Sequence, residues 1–479
     1  MPAWDRRSPS AQAKLRDRLV REQVHDVVAP FSPYWKERLA QIGLKPAAVA
    51  RVRDLDKVPP VGERDVCPGG DPAQAARLVV QASETGYALH APGPSLRKAL
   101  LRRTVDFDAY RRQVEADSRA TTYVYDGLAF RFPIASTRSD LDVVARAGAR
   151  LWQVLGLTSA DVLVSAVPVE ARTEHVALQY AALGSGAPGL FPGNDPNEIA
   201  ATLRLVPATV LAVRSPEAAT LVDEMADIGA PTTSLSTLVL VGAPTPAERA
   251  AAHEALAAAG LANVVVLGAH APSGARVLWG ECRESAGGMS GGYHTYPDLD
   301  VVQLIDPESG EAPKSAGGEL VLTQLGFRGS ALLRWRTADL VDEDLLTGAC
   351  PACSRVVPRV PAALRRRALV ASYQAANGTT RHVDFRGLAG ALVGRADVSD
   401  WRTLLRRNAR TGTDELLAYI APTAGADVAE VAVATARDLR TVAGVLPSQI
   451  VAVVPGELAR VDVSANGMGW LTPRISVRT

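Results

Sequence analysis

Between residues 139 and 270 the hydrophobic positions keep a regular beat. The apolar runs DVLVSAV, ATVLAV, LSTLVLVGA and ANVVVLGA read as buried strands. Between them, apolar residues recur at helical spacing in SDLDVVARAGARLWQVLGL, TEHVALQYAALG, NDPNEIAATLRLV, SPEAATLVDEMADIG and TPAERAAAHEALAAAG. Strands alternating with amphipathic helices predict a doubly wound, mostly parallel sheet in an α/β body. Ser139 and Ser215 are the expected helix N-caps, and Gly184 is expected to end a helix. Ligands of such sheets sit beyond the strand C-termini, where Gly242 and Gly268 fall.

The flanking segments follow other patterns. Residues 9–29 carry Leu15, Leu19, Val24 and Val28 near helical spacing, and SPYWKERLAQIGL predicts a second helix closing at Gly43. VARVRDLDKVPPVGERDV predicts a short helix and then a Pro-Pro break. Residues 68–95 are rich in Gly and Pro around one expected strand, RLVVQ. After residue 290 the strands DLDVVQLID, GELVLTQL and ALLRWRTADLV follow one another without helices, which predicts an antiparallel patch. A break at VPRVPAALRRR precedes strands (LLAYIAP, QIVAVV) and helices (FRGLAGALVG, AEVAVATARDLRTVAG) that predict a small α+β domain. The expected layout is a body at residues 1–360 and an α+β cap at 361–479.

Composition narrows the function classes. A chain of 479 residues exceeds what one core supports, in keeping with two domains. With 52 basic against 51 acidic side chains, nothing suggests a surface built for nucleic acid or membrane. Arg102-Arg103, Arg111-Arg112 and Arg365 to Arg367 read as solvated faces. No apolar run is long enough to cross a bilayer, and MPAWDRRSPS lacks the features of a signal peptide, so the expected location is cytoplasmic. Four cysteines do not make a disulfide scaffold.

Those cysteines carry the first candidate chemistry. Cys350 and Cys353 form a Cys-x-x-Cys in a Pro-containing turn, which is half of a tetrahedral zinc site. Cys282, in WGEC, and His294, in GGYHTYP, flank a Gly-rich loop just upstream and can complete it. A structural Cys3His zinc site is the expectation, with no position left open for water. The alternatives are a redox dithiol, which usually opens a helix, and free thiols beside a loop histidine.

The segment GGELVLTQLGFRGSALLRWRTADLV…CPAC resembles the adenylate-forming (AMP-binding) superfamily, most closely its phenylacetate-CoA ligase-like branch. SPYWKERLAQIGL, DLDKVPPVGERDV and ECRESAGGMSGGYHTYPDLDVVQLIDPESGE also resemble segments of that branch, in order, over most of residues 15–360. Some members of the branch carry zinc at cysteines and a histidine in these places. The resemblance implies ATP-dependent activation of a small carboxylic acid, aromatic or otherwise apolar, as an acyl-adenylate. Transfer to coenzyme A or to a carrier protein's thiol would follow, with Mg²⁺ assisting. It implies that Asp339 holds the ribose hydroxyls of ATP, with Trp335 and Arg336 in the same segment and Gly242 and Gly268 at the strand ends. Read from its surroundings alone, Asp339 instead caps a turn or pairs with Arg334 or Arg336.

Three devices of that superfamily depart from its pattern. The phosphate loop has only SETG and PGPS as remnants, with Lys98, Arg102 and Arg103 nearby. His270 or Ser273 stands where a Mg²⁺-binding Glu is expected, and the next acid is Glu281. The tail SANGMGWLTPRISVRT has Arg474 and Arg478 but no lysine, the last lysine being Lys314; Arg365 is the hinge candidate. Two functions follow: an acid–thiol ligase, or a lapsed homologue that binds a nucleotide, an acyl-CoA or a partner protein without turnover. A redox protein using Cys350 and Cys353 is a third.

Overall fold

The helical spacing at the N-terminus is realised as α1 (Pro9–Glu22), capped by Ser8, whose Oγ accepts from Ala11 N at 3.3 Å. It runs on into a π-helical stretch, Gln23–Val28, and α2 (Pro33–Gln41) follows. The structure, a computed structural model, describes residues 4–67, 72–83, 106–126, 132–285, 291–366, 370–374, 380–384, 397–407, 414–442, 447–454 and 475–478, plus a few single positions. Two compact units divide the chain, Met1–Leu364 and Arg365–Thr479.

In the first unit, α3 (Phe107–Ser118) leads into a hairpin, β1 (Ala120–Asp126) and β2 (Phe132–Thr137), and then α4 (Arg138–Val154). The wound part continues as β3 (Leu163–Ser165), α5 (Arg172–Ser185), β4 (Gly189–Leu190), α6 (Pro196–Leu205) and β5 (Val210–Arg214). It closes with α7 (Ala218–Asp227), β6 (Thr237–Val241), α8 (Pro246–Ala258) and β7 (Val265–His270). Strands β4, β3, β5, β6 and β7 are neighbours in that order and parallel. Two antiparallel strands, β8 (Trp279–Gly280) and β9 (Tyr293–His294), extend the sheet from β7.

Both faces of the parallel strands are apolar because both are covered. Along β6, Val239 and Val241 pack under α4 and α5, while Leu238 and Leu240 pack under α6, α7 and α8. This is the doubly wound α/β body with its antiparallel additions. The patch after residue 290 is β10 (Asp300–Ile305), β11 (Gly318–Gln324) and β12 (Trp335–Val341), paired antiparallel in sequence. A short β13 (Arg359–Val360) pairs with β9.

Several local expectations are corrected. The N-cap of α4 is Thr137, not Ser139: Thr137 Oγ1 accepts from Asp140 N at 3.2 Å, and Asp140 Oδ2 accepts from Thr137 N at 3.0 Å. Ser139 instead donates to Asp117 Oδ1. Gly184 lies inside α5, which closes at Gly186 in the left-handed region (φ +72°). Its missing side chain lets α5 approach the backbone of α4 at Ala145, where a methyl would collide. Ser215 opens a 3-10 turn and donates to Val241 O at 3.2 Å; α7 begins at Ala218. RLVVQ is a 3-10 turn, Ala76–Leu78, with one bridge from Val79 to Ser330. ALLRWRTADLV becomes strand only at Trp335, because Arg334 has φ +41°.

In the second unit, Val398–Arg407 pairs antiparallel with Asp414–Pro422, and Gln449–Ala452 and Ile475–Arg478 add parallel on opposite sides. Helix Val428–Val442 contributes Val431 and Leu439 to a core with Trp401, Leu416 and Ile420. The expected helix FRGLAGALVG lies mostly outside the described residues.

Candidate functional site

Four ligand atoms meet where the sheet turns antiparallel. Cys282 follows β8, His294 ends β9, and Cys350 and Cys353 lie in the knuckle between β12 and β13; all four are buried. Their ligand atoms lie within 4.8 Å of one another. The Cys282 and Cys350 sulfurs are 3.9 Å apart, and Cys353 Sγ is 3.2 Å from His294 Nε2. A tetrahedral zinc with Zn–S of about 2.3 Å and Zn–N of about 2.0 Å needs edges of roughly 3.5–3.8 Å, so this donor set is compatible with the ion once it contracts slightly around it.

The surroundings prepare the thiols as ligands. Hydrogen bonding from Cys282, then from His294 and Arg355, outweighs burial and pulls the Cys353 thiol down to about 2. Burial pushes the Cys350 thiol up, but His294 and the backbone N–H groups of Cys353 and Ala352 hold it below its ordinary value. Burial lowers His294 and its two thiol partners raise it, with a net rise, so metal uptake releases protons. His294 Nδ1 lies 3.3 Å from Gly280 O, which leaves Nε2 facing the sulfurs. Gly291 is part of the fit: a Cβ there would stand 2.9 Å from Cys350 Sγ.

The knuckle is anchored from outside. Arg355 Nε donates to Asp5 Oδ2 at 3.1 Å and its Nη2 to Gln153 O at 2.7 Å. No helix opens at the Cys-x-x-Cys, so the helix N-terminus that activates a redox pair is missing there. Ser354 takes the left-handed turn, φ +60°.

The strand ends are a separate place. Asp339, on β12, is 1% exposed, and its Oδ2 lies 2.8 Å from Nε2 of His270, the last residue of β7, itself 1% exposed. The structure therefore joins Asp339 to His270, a residue 69 positions away, rather than to Arg334 or Arg336. Trp335 is fully buried against Phe132, ring centroids 4.9 Å apart, in a core with Val20, Trp35 and Leu78. Arg336, on the opposite face of β12, binds Glu319 through Nε at 3.2 Å and Pro307 O through Nη2 at 2.6 Å. Gly242, just after β6, takes φ +106°, a conformation suited to glycine.

Gly268 lies within β7 and makes room for Glu281, whose Oε2 accepts from Gly268 N at 2.6 Å and from Arg249 Nη2 at 2.9 Å. That carboxylate is spent inside the fold, so the residues here do not fit the Mg²⁺ that the superfamily resemblance implies. Ser273 Oγ donates to Glu63 Oε1 at 3.4 Å. Lys98, Arg102 and Arg474 lie outside the described residues. Among the described residues no helix is long and apolar enough to cross a membrane.

No family model matches the sequence, and no curated protein gives a significant match. Solved structures do match. 2-Hydroxyisobutyryl-CoA ligase in the postadenylation state, in complex with R3-HIB-AMP, gives a TM-score of 0.70 at 18% identity, over 99% of this chain and 91% of that chain. The chain has the adenylate-forming fold. The same ligase with 2-HIB-AMP and CoA in the thioesterification state gives 0.60 at 17% identity, over 100% of this chain and 92% of that chain. His270 ends β7 at the C-terminal edge of the parallel sheet, the edge where doubly wound sheets take their ligands, and Asp339 reaches it from β12 of the antiparallel patch.

Sequence reasoning missed His270 as Asp339's partner. The signal was present, because His270 stands where an acid was expected. Only the spacing of β7 and β12 in the fold says that it meets Asp339.

Proposed function

We propose that this chain is an acid–thiol ligase that activates a small carboxylic acid as its adenylate and passes the acyl group to coenzyme A or a carrier thiol. The observation that carries the reading is Asp339 where β7 ends, 2.8 Å from His270. A carboxylate there can accept both ribose hydroxyls of ATP once His270 gives way. The likeness over nearly the whole of both chains to a CoA ligase carrying an acyl-AMP supports it. The Cys3His cluster would hold one structural zinc, tying β8, β9 and the knuckle; with four protein ligands it would supply rigidity and no reactive position. No step is assigned to Mg²⁺, since Glu281 is committed to Arg249 and Gly268.

A second reading, ligand binding without turnover, is favoured by the His270–Asp339 contact, which covers the ribose-binding carboxylate, and by the absence of any lysine after Lys314. Calorimetric titration with ATP·Mg²⁺ tests both. Saturable binding that weakens by roughly tenfold or more in Asp339→Ala places ATP at Asp339. Pyrophosphate exchange with an acid then selects the ligase. Binding without exchange for any acid selects the second reading, and no binding at millimolar ATP removes the nucleotide from both.

A further inference from the structure

A small cavity of about 20 Å³ is set among the early turns of α4 and α5, the β1–β2 hairpin and the segment after β7. Ile134, Leu141, Val144 and Val176 make its wall apolar. Thr173 and Arg276 also line it, and both are more than nine-tenths buried, at 8% and 6% exposed. The Thr173 hydroxyl and the Arg276 Nε–H have no hydrogen-bond partner among the described residues.

The rest of Arg276 is fixed. Its Nη1 donates to Gln324 Oε1 at 3.1 Å, its Nη2 donates to Ser330 O at 2.6 Å and Ala135 O at 3.3 Å, and its guanidinium lies over Phe327. The nearby carboxylate of Asp140 is spent on the backbone N–H groups of Thr137, Arg328 and Gly329. Burial lowers Arg276 to about 10, so it remains a cation at neutral pH. A buried cation with only neutral acceptors, beside an unpaired hydroxyl, is costly unless an acceptor oxygen arrives from outside.

The size decides the rest. Room for a single water takes about 10–15 Å³ of such space, so the cavity admits a hydroxyl, a methyl or a carboxylate but no ring. We propose that this cavity seats the tail of the acid, and that the acid is short, aliphatic and bears a second acceptor oxygen, which Thr173 and Arg276 hold. The assignment rests on the reading of the chain as an acid-activating protein and replaces the aromatic acid by an oxygenated short one.

The test uses the full chain, with lactate and malonate as probes and propionate and phenylacetate as controls. Binding is read by calorimetry without ATP, and activation by pyrophosphate exchange. Lactate or malonate should bind about tenfold tighter than propionate, and Thr173→Val should remove most of that margin while leaving propionate unchanged. Val144→Phe, which fills the cavity, should abolish binding of the short acids. Lactate ahead of malonate identifies a hydroxyl as the second oxygen; the reverse identifies a carboxylate. Propionate or phenylacetate binding as well as either probe, no binding of any acid, or equal loss for all acids in Thr173→Val overturns the proposal. Exchange with phenylacetate keeps the ligase and removes the small tail pocket. Thr173-dependent binding of the probes with no exchange keeps the pocket and removes the ligase.

Discussion

Replacing Cys350 by alanine separates a metal centre from a group of buried thiols. If a zinc joins the four ligands, Cys350→Ala leaves only three, the zinc is lost, and the clip between His294 and the knuckle opens. Closing that loop of about 57 residues is worth about 4 kcal/mol in chain entropy, using the cross-link relation for a disulfide. Divided by the melting entropy of a unit the length of Met1–Leu364, this lowers Tm by about 5 °C. If no metal is present, Cys350 is a small apolar side chain packed with Val154, Cys282 and Cys353. Trading its sulfur for hydrogen then costs about 1 kcal/mol, or about 1 °C. Scanning calorimetry of wild type and variant, each with and without a strong chelator, reads the difference. The chelator should bring wild type down to the variant and leave the variant where it is. Elemental analysis of protein purified without added metal should find one zinc per chain. A fall within about 1 °C in Cys350→Ala, or zinc at well under half an equivalent, would refute the clip.

Gly291→Ala keeps all four ligands but places a methyl 2.9 Å from Cys350 Sγ, so zinc content after dialysis against a weak chelator should fall while the thiol count stays the same. Gly184→Ala should destabilise by about 3 kcal/mol or more in denaturant melts, because the methyl meets the Ala145 carbonyl and α4 and α5 must part; an effect under about 1 kcal/mol would mean the helices slide freely. Asp300, buried under Trp279 Nε1–H at 2.9 Å, is pushed up to about 7 by desolvation. Its folded value lies above its unfolded one, so its contribution is full below about pH 4 and is lost as pH rises through about 7. Tm should therefore decline over that window in wild type and decline less in Asp300→Asn.

The parts of the fold that the sequence makes legible share a physical feature. Strands β3, β5, β6 and β7 are buried on both faces, so each appears as an unbroken apolar run. The β1–β2 hairpin is not: Thr122 and Val124 are half-buried and Tyr123 is 53% exposed, so TTYVYD carries a weak pattern. The Cys282–His294–Cys350–Cys353 cluster can be grouped from sequence because Cys-x-x-Cys is a local signature and its partners lie on neighbouring short strands. Trp335 and Arg336 show the limit. They are adjacent in a matching segment, yet neighbours on a strand face opposite sides, one into the core and one to Glu319. Gly268 shows another: its position at a strand end suggests a ligand, while its space is filled by Glu281, a residue 13 positions on.

The His270–Asp339 contact sets the terms on which any nucleotide can enter. Both groups are buried, and a carboxylate acceptor makes the bond between them charge-assisted, worth about 1.5–3 kcal/mol. A ribose offers Asp339 two hydroxyl donors, which would replace that bond. The exchange at Asp339 is therefore close to neutral, and the affinity of ATP must come from contacts beyond the carboxylate. Asp339→Ala consequently has two effects at once: it removes the proposed ribose acceptor, and it removes the carboxylate 2.8 Å from the buried His270. Asp339→Asn keeps an acceptor for His270 Nε2 and removes only the charge, which isolates the first effect from the second. An Ala variant that loses ATP while Asn retains it would report a collapsed strand end. Loss in both, with an unchanged melting temperature in Asn, would report the ribose contact itself, and the ligase reading stands or falls on that distinction.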